Sequence, residues 1–315
     1  MTQTLRIATR QSRLALWQAE HAATQLRAHH PDLDVVLVPM TTTGDRVQDR
    51  PLAQVGGKGL FIKELEIALS EQRADLAVHS MKDVPTELPP GMMLAAMLPR
   101  ADARDAFVSS RYSRFEQLPV GARVGTSSLR RQAQLKAARP DLDIIPLRGN
   151  VDTRLRKLDE GQYQAIILAA AGLIRLGLEE RIAHYLDFAL CLPAAGQGIV
   201  GIECRADDAA SLAVLRALDD TAARQCCEAE RAFARRLEGS CQSPIAGHAE
   251  LRGDELILSG VVASEDGRTL YRDSERGPAS DPQTLGVRLA DRLLAAGADV
   301  LLAAQRAAAT TGSLP

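Results

Sequence analysis

Val124-Gly125-Thr126-Ser127-Ser128-Leu129-Arg130-Arg131 and Leu147-Arg148-Gly149-Asn150-Val151-Asp152-Thr153-Arg154-Leu155-Arg156 decide how this chain is read. Each stretch follows a short apolar run, at residues 122–125 and 143–147, that reads as a strand, and each opens a helical pattern. Glycine lets backbone approach a ligand closely, while Thr, Ser, Asn and Asp cap a helix whose free N–H groups point outward. A cation is the wrong charge for the positive end of a helix dipole. Arginine placed there twice implies an anion that neutralises it, and the planar guanidinium fork suits carboxylate or phosphate.

Outward from these joints, strand and helix patterns alternate, as in open parallel or mixed α/β sheets. Strands are expected at residues 5–9, 35–40, 76–79 and 93–98, with helices at 12–28 and 60–69. The Gly/Thr/Asp-rich stretch 41–59 is long for a simple connection and reads as a mobile loop. After a crossing at 99–105, a second set places strands near 106–109, 123–125, 143–147 and 164–169. Residues 199–204 form a strand able to return to the first sheet, followed by a helix at 209–218. The remainder changes character. A long helix (222–237) precedes three strands (245–251, 255–263 and 269–275) joined by Gly-Asp and Asp-Gly turns that favour hairpins, and a helix at 282–296 closes the pattern. The expected fold is thus α/β: two lobes (1–99 plus 199–217, and 104–193) and a small α+β domain (221–315).

Bulk properties set limits. With 315 residues, 46% hydrophobic and 25% charged, the composition is that of an ordinary soluble globular protein. All but five of the 38 basic residues are arginine, yet the net charge is −2. A pI near 6.3 with 3% aromatics argues against a nucleic-acid binder, which needs a basic surface and stacking rings. No apolar run approaches the roughly 18 residues of a membrane span, and no signal-peptide core is evident at the start. The five cysteines (Cys191, Cys204, Cys226, Cys227 and Cys241) form no CxxC pair and have no histidine at ligand spacing. Free thiols in a reducing cytosol and no bound metal are therefore expected.

Ligands of open α/β sheets bind beyond the carboxyl ends of strands. Ser80, Lys82 and Asp83 follow the strand at 76–79, Arg10 and Ser12 follow the first strand, and Arg175 follows the fourth strand of the second set. With Arg130, Arg131, Arg148 and Arg154 these side chains are expected to converge on one anion-binding cleft. His79 reads as a packed strand residue. Cys241, in Leu237-Glu238-Gly239-Ser240-Cys241-Gln242-Ser243-Pro244, stands in a turn, which argues for an exposed, reactive thiol, whereas Cys226 and Cys227 read as helix packing.

The motifs resemble those of the porphobilinogen deaminase family over essentially the whole chain. They are Arg6-Ile7-Ala8-Thr9-Arg10-Gln11-Ser12, Val55-Gly56-Gly57-Lys58-Gly59-Leu60-Phe61 and Ala77-Val78-His79-Ser80-Met81-Lys82-Asp83-Val84-Pro85, then residues 124–131 and 147–150, Leu192-Pro193 with Gly196-Gln197-Gly198, and Glu238-Gly239-Ser240-Cys241. The resemblance implies head-to-tail condensation of four porphobilinogen molecules with loss of ammonia, giving hydroxymethylbilane. It implies a dipyrromethane primer held by a thioether at Cys241. Each pyrrole carries an acetate and a propionate, so the growing chain is a polycarboxylate. Catalysis falls to Asp83 with Lys82. The primer falls to Ser80, Lys82, Asp83, Thr126, Ser127, Ser128, Arg130, Arg131 and Gly149, and substrate to Arg10, Ser12, Arg148, Arg154, Arg175 and Gln197. The implied protein is a cytoplasmic monomer with lobes like those of solute-binding proteins, taking a small-molecule substrate and binding neither nucleic acid nor membrane. Gln54 stands where bacterial relatives often carry lysine, and residues 184–191 also depart from the pattern. The competing reading is a non-catalytic two-lobed binding protein for a polycarboxylate or phosphate; the Cys241-bearing domain and the missing export signal weigh against it.

Overall fold

The computed structural model describes residues 4–46, 59–239 and 243–311. The chain divides into two compact units, Met1–Ala101 with Gly198–Arg224, and Asp102–Gln197 with Gln225–Pro315.

The first unit is one five-stranded mixed sheet. Its strands are β1 (Thr4–Arg10), β2 (Asp34–Met40), β3 (Leu76–Ser80), β4 (Met92–Met97) and the returning β10 (Val200–Arg205), in the order β2-β1-β3-β10-β4. β1 is parallel to β2 and β3, while β10 runs antiparallel to both β3 and β4. Alternation along β1 sends Leu5 and Ile7 to one face and Ala8 to the other. The first face is covered by α1 (Arg13–His29), whose Ala19, Ala22, Ala23 and Leu26 are fully buried. Small residues on that helix let it lie close to the sheet, and Ser12 caps it by accepting from Ala15 N. The opposite face packs Leu65 and Leu69 of α2 (Lys63–Ser70).

The second unit holds two sheets. One joins β5 (Asp105–Val108), β6 (Arg123–Gly125), β7 (Asp143–Ile145), β8 (Ala165–Ala169) and β9 (His184–Leu186) in the order β7-β6-β8-β5-β9. β6, β7 and β8 are parallel; β5 is antiparallel to β8 and β9. Leu135 of α3 (Leu129–Ala138) packs with Phe107, Val124 and Ile167 on one face. On the other, Leu155 and Leu158 of α4 (Val151–Asp159) and Leu173 of α5 (Ala170–Arg175) pack with Ile166 and Leu168. The second sheet is an antiparallel meander of β11 (Ile245–Arg252), β12 (Glu255–Ala263) and β13 (Leu270–Pro278). Its core gathers Leu256 and Leu258 with Phe233 of α7 (Thr221–Arg236) and with Leu285 and Leu289 of α8 (Pro282–Leu293). Ala133, Leu192, Ala246 and Val261 form a smaller apolar cluster between α3 and this meander.

The α/β class and the late return of a strand to the first sheet match the sequence expectation. Three local readings change. The helix expected at 209–218 is α6 (Ala209–Leu215) followed by a 3-10 turn, Arg216–Leu218. The edge strand β9 was not anticipated; three residues are too few to show alternation. The last helix does not stop at 296: Gly297, at φ 112°, takes a left-handed turn, and α9 (Asp299–Thr311) continues along the alanine-rich sequence. Of the stretch 41–59, Thr43–Arg46 forms a single helical turn; residues 47–58, including Gln54, lie outside the described residues.

Candidate anion and catalytic sites

In the first unit, parallel β1 and β3 end side by side, which places Arg10 and Ser12 beside Ser80 and the 3-10 turn Met81–Asp83 at one sheet edge. Lys82 and Asp83 are half-buried on that turn. Ser80 is tied to Gln18, whose Nε2 lies 2.8 Å from Ser80 Oγ. Met81 points inward and is 1% exposed. Beneath the turn, Gly201 of β10 comes so close to Met81 that a methyl added there would overlap its sulfur. His79 is buried as expected, and its Nε2 lies 2.9 Å from Glu203 Oε2 on the adjacent strand. Arg10 is an ion-pair partner of Asp45, donating from Nε to Oδ2 at 3.1 Å, with its guanidinium 4.4 Å from the Phe61 ring centroid. Burial raises the Asp45 carboxyl, but hydrogen bonds from Arg10 and Thr42 outweigh it and hold the pKa below its usual value. Asp45 as the partner of Arg10 was missed in the sequence, where it falls within a stretch read as loop.

In the second unit, the carboxyl ends of parallel β6, β7 and β8 carry the remaining described candidates except Gln197, which lies beyond β9. Ser128 Oγ caps α3 by accepting from Arg131 N at 3.5 Å, and Asn150 caps α4 by accepting from Thr153 N at 2.8 Å. Thr126 Oγ1 accepts from Ser128 N, and Ser127 Oγ exchanges hydrogen bonds with the Leu147 backbone, fastening the two loops together. Gly149 adopts φ 115°, and a Cβ there would fall 2.7 Å from Thr153 Cγ2, so glycine is required for the turn. Arg154 Nε donates to Gly149 O at 2.7 Å, and Arg148 lies half-buried in the same loop. Arg175 sits at the end of α5, where burial lowers its guanidinium to about 10, still charged at neutral pH.

Arg130 and Arg131 differ from the sequence expectation in one respect. They do not wait at an open helix start for an outside anion; they are 4% and 5% exposed, and the protein supplies a first counter-ion itself. Asp105, at the start of β5 and fully buried, receives Arg130 Nη1 at 2.8 Å on Oδ2 and Arg131 Nη2 at 2.7 Å on Oδ1. Cys191 Sγ adds a contact to Oδ2 at 3.3 Å, and Gln197 Nε2 one to Oδ1 at 2.9 Å. Burial pushes the Asp105 carboxyl upward, but the two guanidiniums together hold it far below the carboxylate range. The neighbouring Cys191 thiol is pushed up to about 12 by burial and then by Asp105. Two cations thus face one anion in a buried site, and the Nε atoms of both arginines have no hydrogen-bond partner among the described residues. Gln197, expected to touch substrate, is 1% exposed and turns inward, donating also to Ala103 O at 2.7 Å. Its amide nitrogen is committed to the Asp105 network, while its Oε1 has no partner among the described residues. Asp105 escaped the sequence reading because one acid at a strand start, 25 residues before its partners, gives no local signal.

Cys241 lies outside the described residues. The other four cysteines are buried and free of disulfides.

Parallel strand ends carry capped, arginine-bearing helix starts, and two buried guanidiniums share one carboxylate behind them, groups that suit an α/β protein to hold an anion such as a carboxylate or phosphate. Comparison with known sequences narrows this class. Residues 5–213 match the family model described as porphobilinogen deaminase, dipyromethane cofactor binding domain, and residues 224–295 match porphobilinogen deaminase, C-terminal domain. A porphobilinogen deaminase of Xanthomonas axonopodis pv. citri is 58% identical over 301 residues, covering 95% of this chain and 99% of the relative. One from Xanthomonas oryzae pv. oryzae is 58% identical over 302 residues, covering 96% and 99%. Among solved structures, a methionine-binding protein aligns at TM-score 0.45 and 15% identity, over 68% of this chain and 89% of that one. The chain belongs to the porphobilinogen deaminase family.

Proposed function

We infer that this chain is a transferase that joins four porphobilinogen molecules head to tail, releases one ammonia at each step, and delivers the linear tetrapyrrole hydroxymethylbilane for haem biosynthesis. The reaction follows from family membership. The observation that carries the assignment of residues is the buried Asp105–Arg130–Arg131 cluster. It holds one positive charge in excess and two unpartnered Nε–H donors, the donor set that suits carboxylates of a dipyrromethane primer. Arg130 and Arg131 would hold that primer, with Thr126, Ser127, Ser128 and Gly149 shaping the loops around it. Cys241 would be its covalent anchor. The burial of the other four thiols supports this choice, since a buried neutral thiol neither ionises nor admits a ligand.

The primer, when bound, would supply the free pyrrole carbon to which the first unit is joined, each later unit joining the ring added before it. Asp83 serves the chemical step. Its carboxylate accepts from the substrate pyrrole N–H and stabilises the positive charge that spreads over the ring as the aminomethyl group leaves as ammonia. It also takes part in moving protons before and after bond formation, with Lys82 beside it. Arg10, Ser12, Arg148, Arg154 and Arg175 hold acetate and propionate groups of incoming substrate and growing chain. The organisation we propose is three domains (1–99 with 199–217, 104–193 and 221–315) in a monomeric cytoplasmic protein. None of the described helices is long and apolar enough to cross a membrane.

The test is the intact mass of the denatured protein. A covalent excess of two porphobilinogen units, each less one ammonia, accompanied by porphobilinogen consumption, is the expected result. Protein at its bare sequence mass that binds polycarboxylates without turnover would favour the non-catalytic binding protein instead.

A further inference from the structure

We propose that Asp105 is the positioning residue of the primer's carboxylate site: it fixes the guanidinium forks of Arg130 and Arg131 so that their Nε edges stay free for the ligand. This rests on the reading of those arginines as primer anchors, and adds to it a residue that never touches the primer.

The geometry separates the two roles. Asp105 is 0% exposed and both its oxygens are taken, Oδ1 by Arg131 and Gln197, Oδ2 by Arg130 and Cys191. It has no lone pair left to offer a ligand. What it determines is direction. Arg131 is held at two atoms, Nη2 on Asp105 and Nη1 on Ile167 O at 3.1 Å, which fixes the plane of its fork. Arg130 places Nη1 between Asp105 and Leu192 O, the latter at 2.6 Å. The carbonyl of Leu192 is itself set by Gln134, whose amide donates to Leu192 O at 3.0 Å and accepts from Leu192 N at 2.9 Å. Among the described residues every side-chain contact of the two forks is on the Nη side, and the Nε of each arginine, itself buried, has no partner.

Charge leads to the same conclusion. A buried pair of guanidiniums without any anion would be very costly, and with two carboxylates it would be satisfied and indifferent to a ligand. One aspartate leaves a single unmatched positive charge, which makes the site stable enough to form and still selective for a carboxylate. Gln197 keeps that aspartate in place through a neutral amide, so it fixes the carboxylate without altering the charge.

The test uses the full chain, loaded with primer and primer-free, the latter from a host unable to make porphobilinogen. Two quantities are read for Asp105→Asn and Asp105→Glu: the rate at which primer-free protein gains the covalent mass excess on incubation with porphobilinogen, and the difference in Tm between loaded and primer-free forms. Asp105→Asn should reload at least about tenfold more slowly, the loss expected when one charge-assisted hydrogen bond is misaimed. It should also narrow the Tm difference to less than half, and Asp105→Glu should recover part of both. A reload rate like that of the unaltered protein, or equal Tm losses in both forms with the difference unchanged, overturns the proposal and leaves Asp105 a fold-stabilising residue only. If Asp105→Asn does not fold, Gln197→Met replaces it, since it frees the carboxylate with all charges in place. Slower reloading and a narrower Tm difference then support the proposal, and unaltered values for both overturn it. Arg130→Leu and Arg131→Leu keep the two levels apart. If both load fully, the anchor reading has failed. If both stay primer-free while Asp105→Asn loads normally, only the positioning role has failed.

Discussion

Gly201→Ala is expected to impair catalysis without touching a single charged residue. Gly201 lies on β10 directly beneath Met81, the first residue of the turn that carries Lys82 and Asp83. A methyl group built there stands 3.1 Å from Met81 Cγ, nearer still to the sulfur, and 3.4 Å from Leu94 Cδ2. Carbon atoms in contact sit about 3.5–4.0 Å apart, so the thioether must retreat by on the order of 1 Å. Met81 is 1% exposed, which leaves it little space to retreat into and passes part of the movement to the turn. Overpacking of this kind costs ~1–3 kcal/mol of stability, and a displacement of ~1 Å at a catalytic group lowers turnover by up to ~10²-fold. Porphobilinogen consumption at saturating substrate, with thermal unfolding in parallel, measures both. The expected signature is a lower kcat with a nearly unchanged KM, because the arginines are undisturbed. Met81→Ala alone leaves a cavity and is destabilising; combined with Gly201→Ala it should cost less than the two changes summed. Gly201→Ala protein with the kcat and Tm of the unaltered chain would refute the idea that β10 braces the turn.

Four further outcomes are expected. Cys241→Ser should carry no covalent mass excess after denaturation; a full excess would place the primer on another residue. Leucine in place of Arg130 or Arg131 should give mostly primer-free protein, each lost charge-assisted contact costing ~1.5–3 kcal/mol, whereas Arg10→Leu and Arg175→Leu should keep the primer and stall partly built chains, as mass spectrometry of the loaded protein will reveal. Asp83→Asn should fold, retain primer and lose at least ~10²-fold in turnover, with Asp83→Glu retaining some activity; near-normal rates for the asparagine variant would remove Asp83 from the mechanism. Cys191 binds its proton more tightly when folded than unfolded, so stability should be unaffected by it below pH 9.0 and decline as pH rises from there toward about 12. The slope is up to ~1.4 kcal/mol per pH unit, and Cys191→Ala should flatten that part of an alkaline unfolding curve.

Much of this was legible in the sequence because it is written locally. The strand-to-helix joints at 124–131 and 147–156 combine apolar run, glycine and capping residue within ten positions, and the structure has a capped helix at each. The meander β11–β13 was announced by its Gly-Asp and Asp-Gly turns. What was not legible depends on partners distant along the chain. The anions matched to Arg10, Arg130 and Arg131 come from Asp45 and Asp105, and nothing near either acid marks it as buried or paired. The inward turn of Gln197 has the same origin, since the carbonyl of Ala103 and the carboxylate of Asp105 that hold its amide nitrogen lie more than ninety residues away in the chain. Helix ends were misjudged where one glycine, Gly297, turned the axis without ending the helical sequence.

The order β2-β1-β3-β10-β4 has a consequence for the birth of the protein. β4 has no sheet neighbour other than β10, and β3 pairs on that side with β10 as well. When residue 97 has left the ribosome, the first sheet therefore holds β2, β1 and β3 alone, with β3 left as an edge. About a hundred residues must still be translated before β10 exists, which at ~5–20 residues per second takes ~5–20 s. Throughout that interval the edge of β3, bearing the segment that ends in Asp83, presents unpaired backbone groups to any passing strand. The nascent chain is thus most exposed to mispairing at the strand that leads to Asp83, and a ribosome pause after β4 has emerged but before β10 has would lengthen that exposure, while one after β10 has emerged would not.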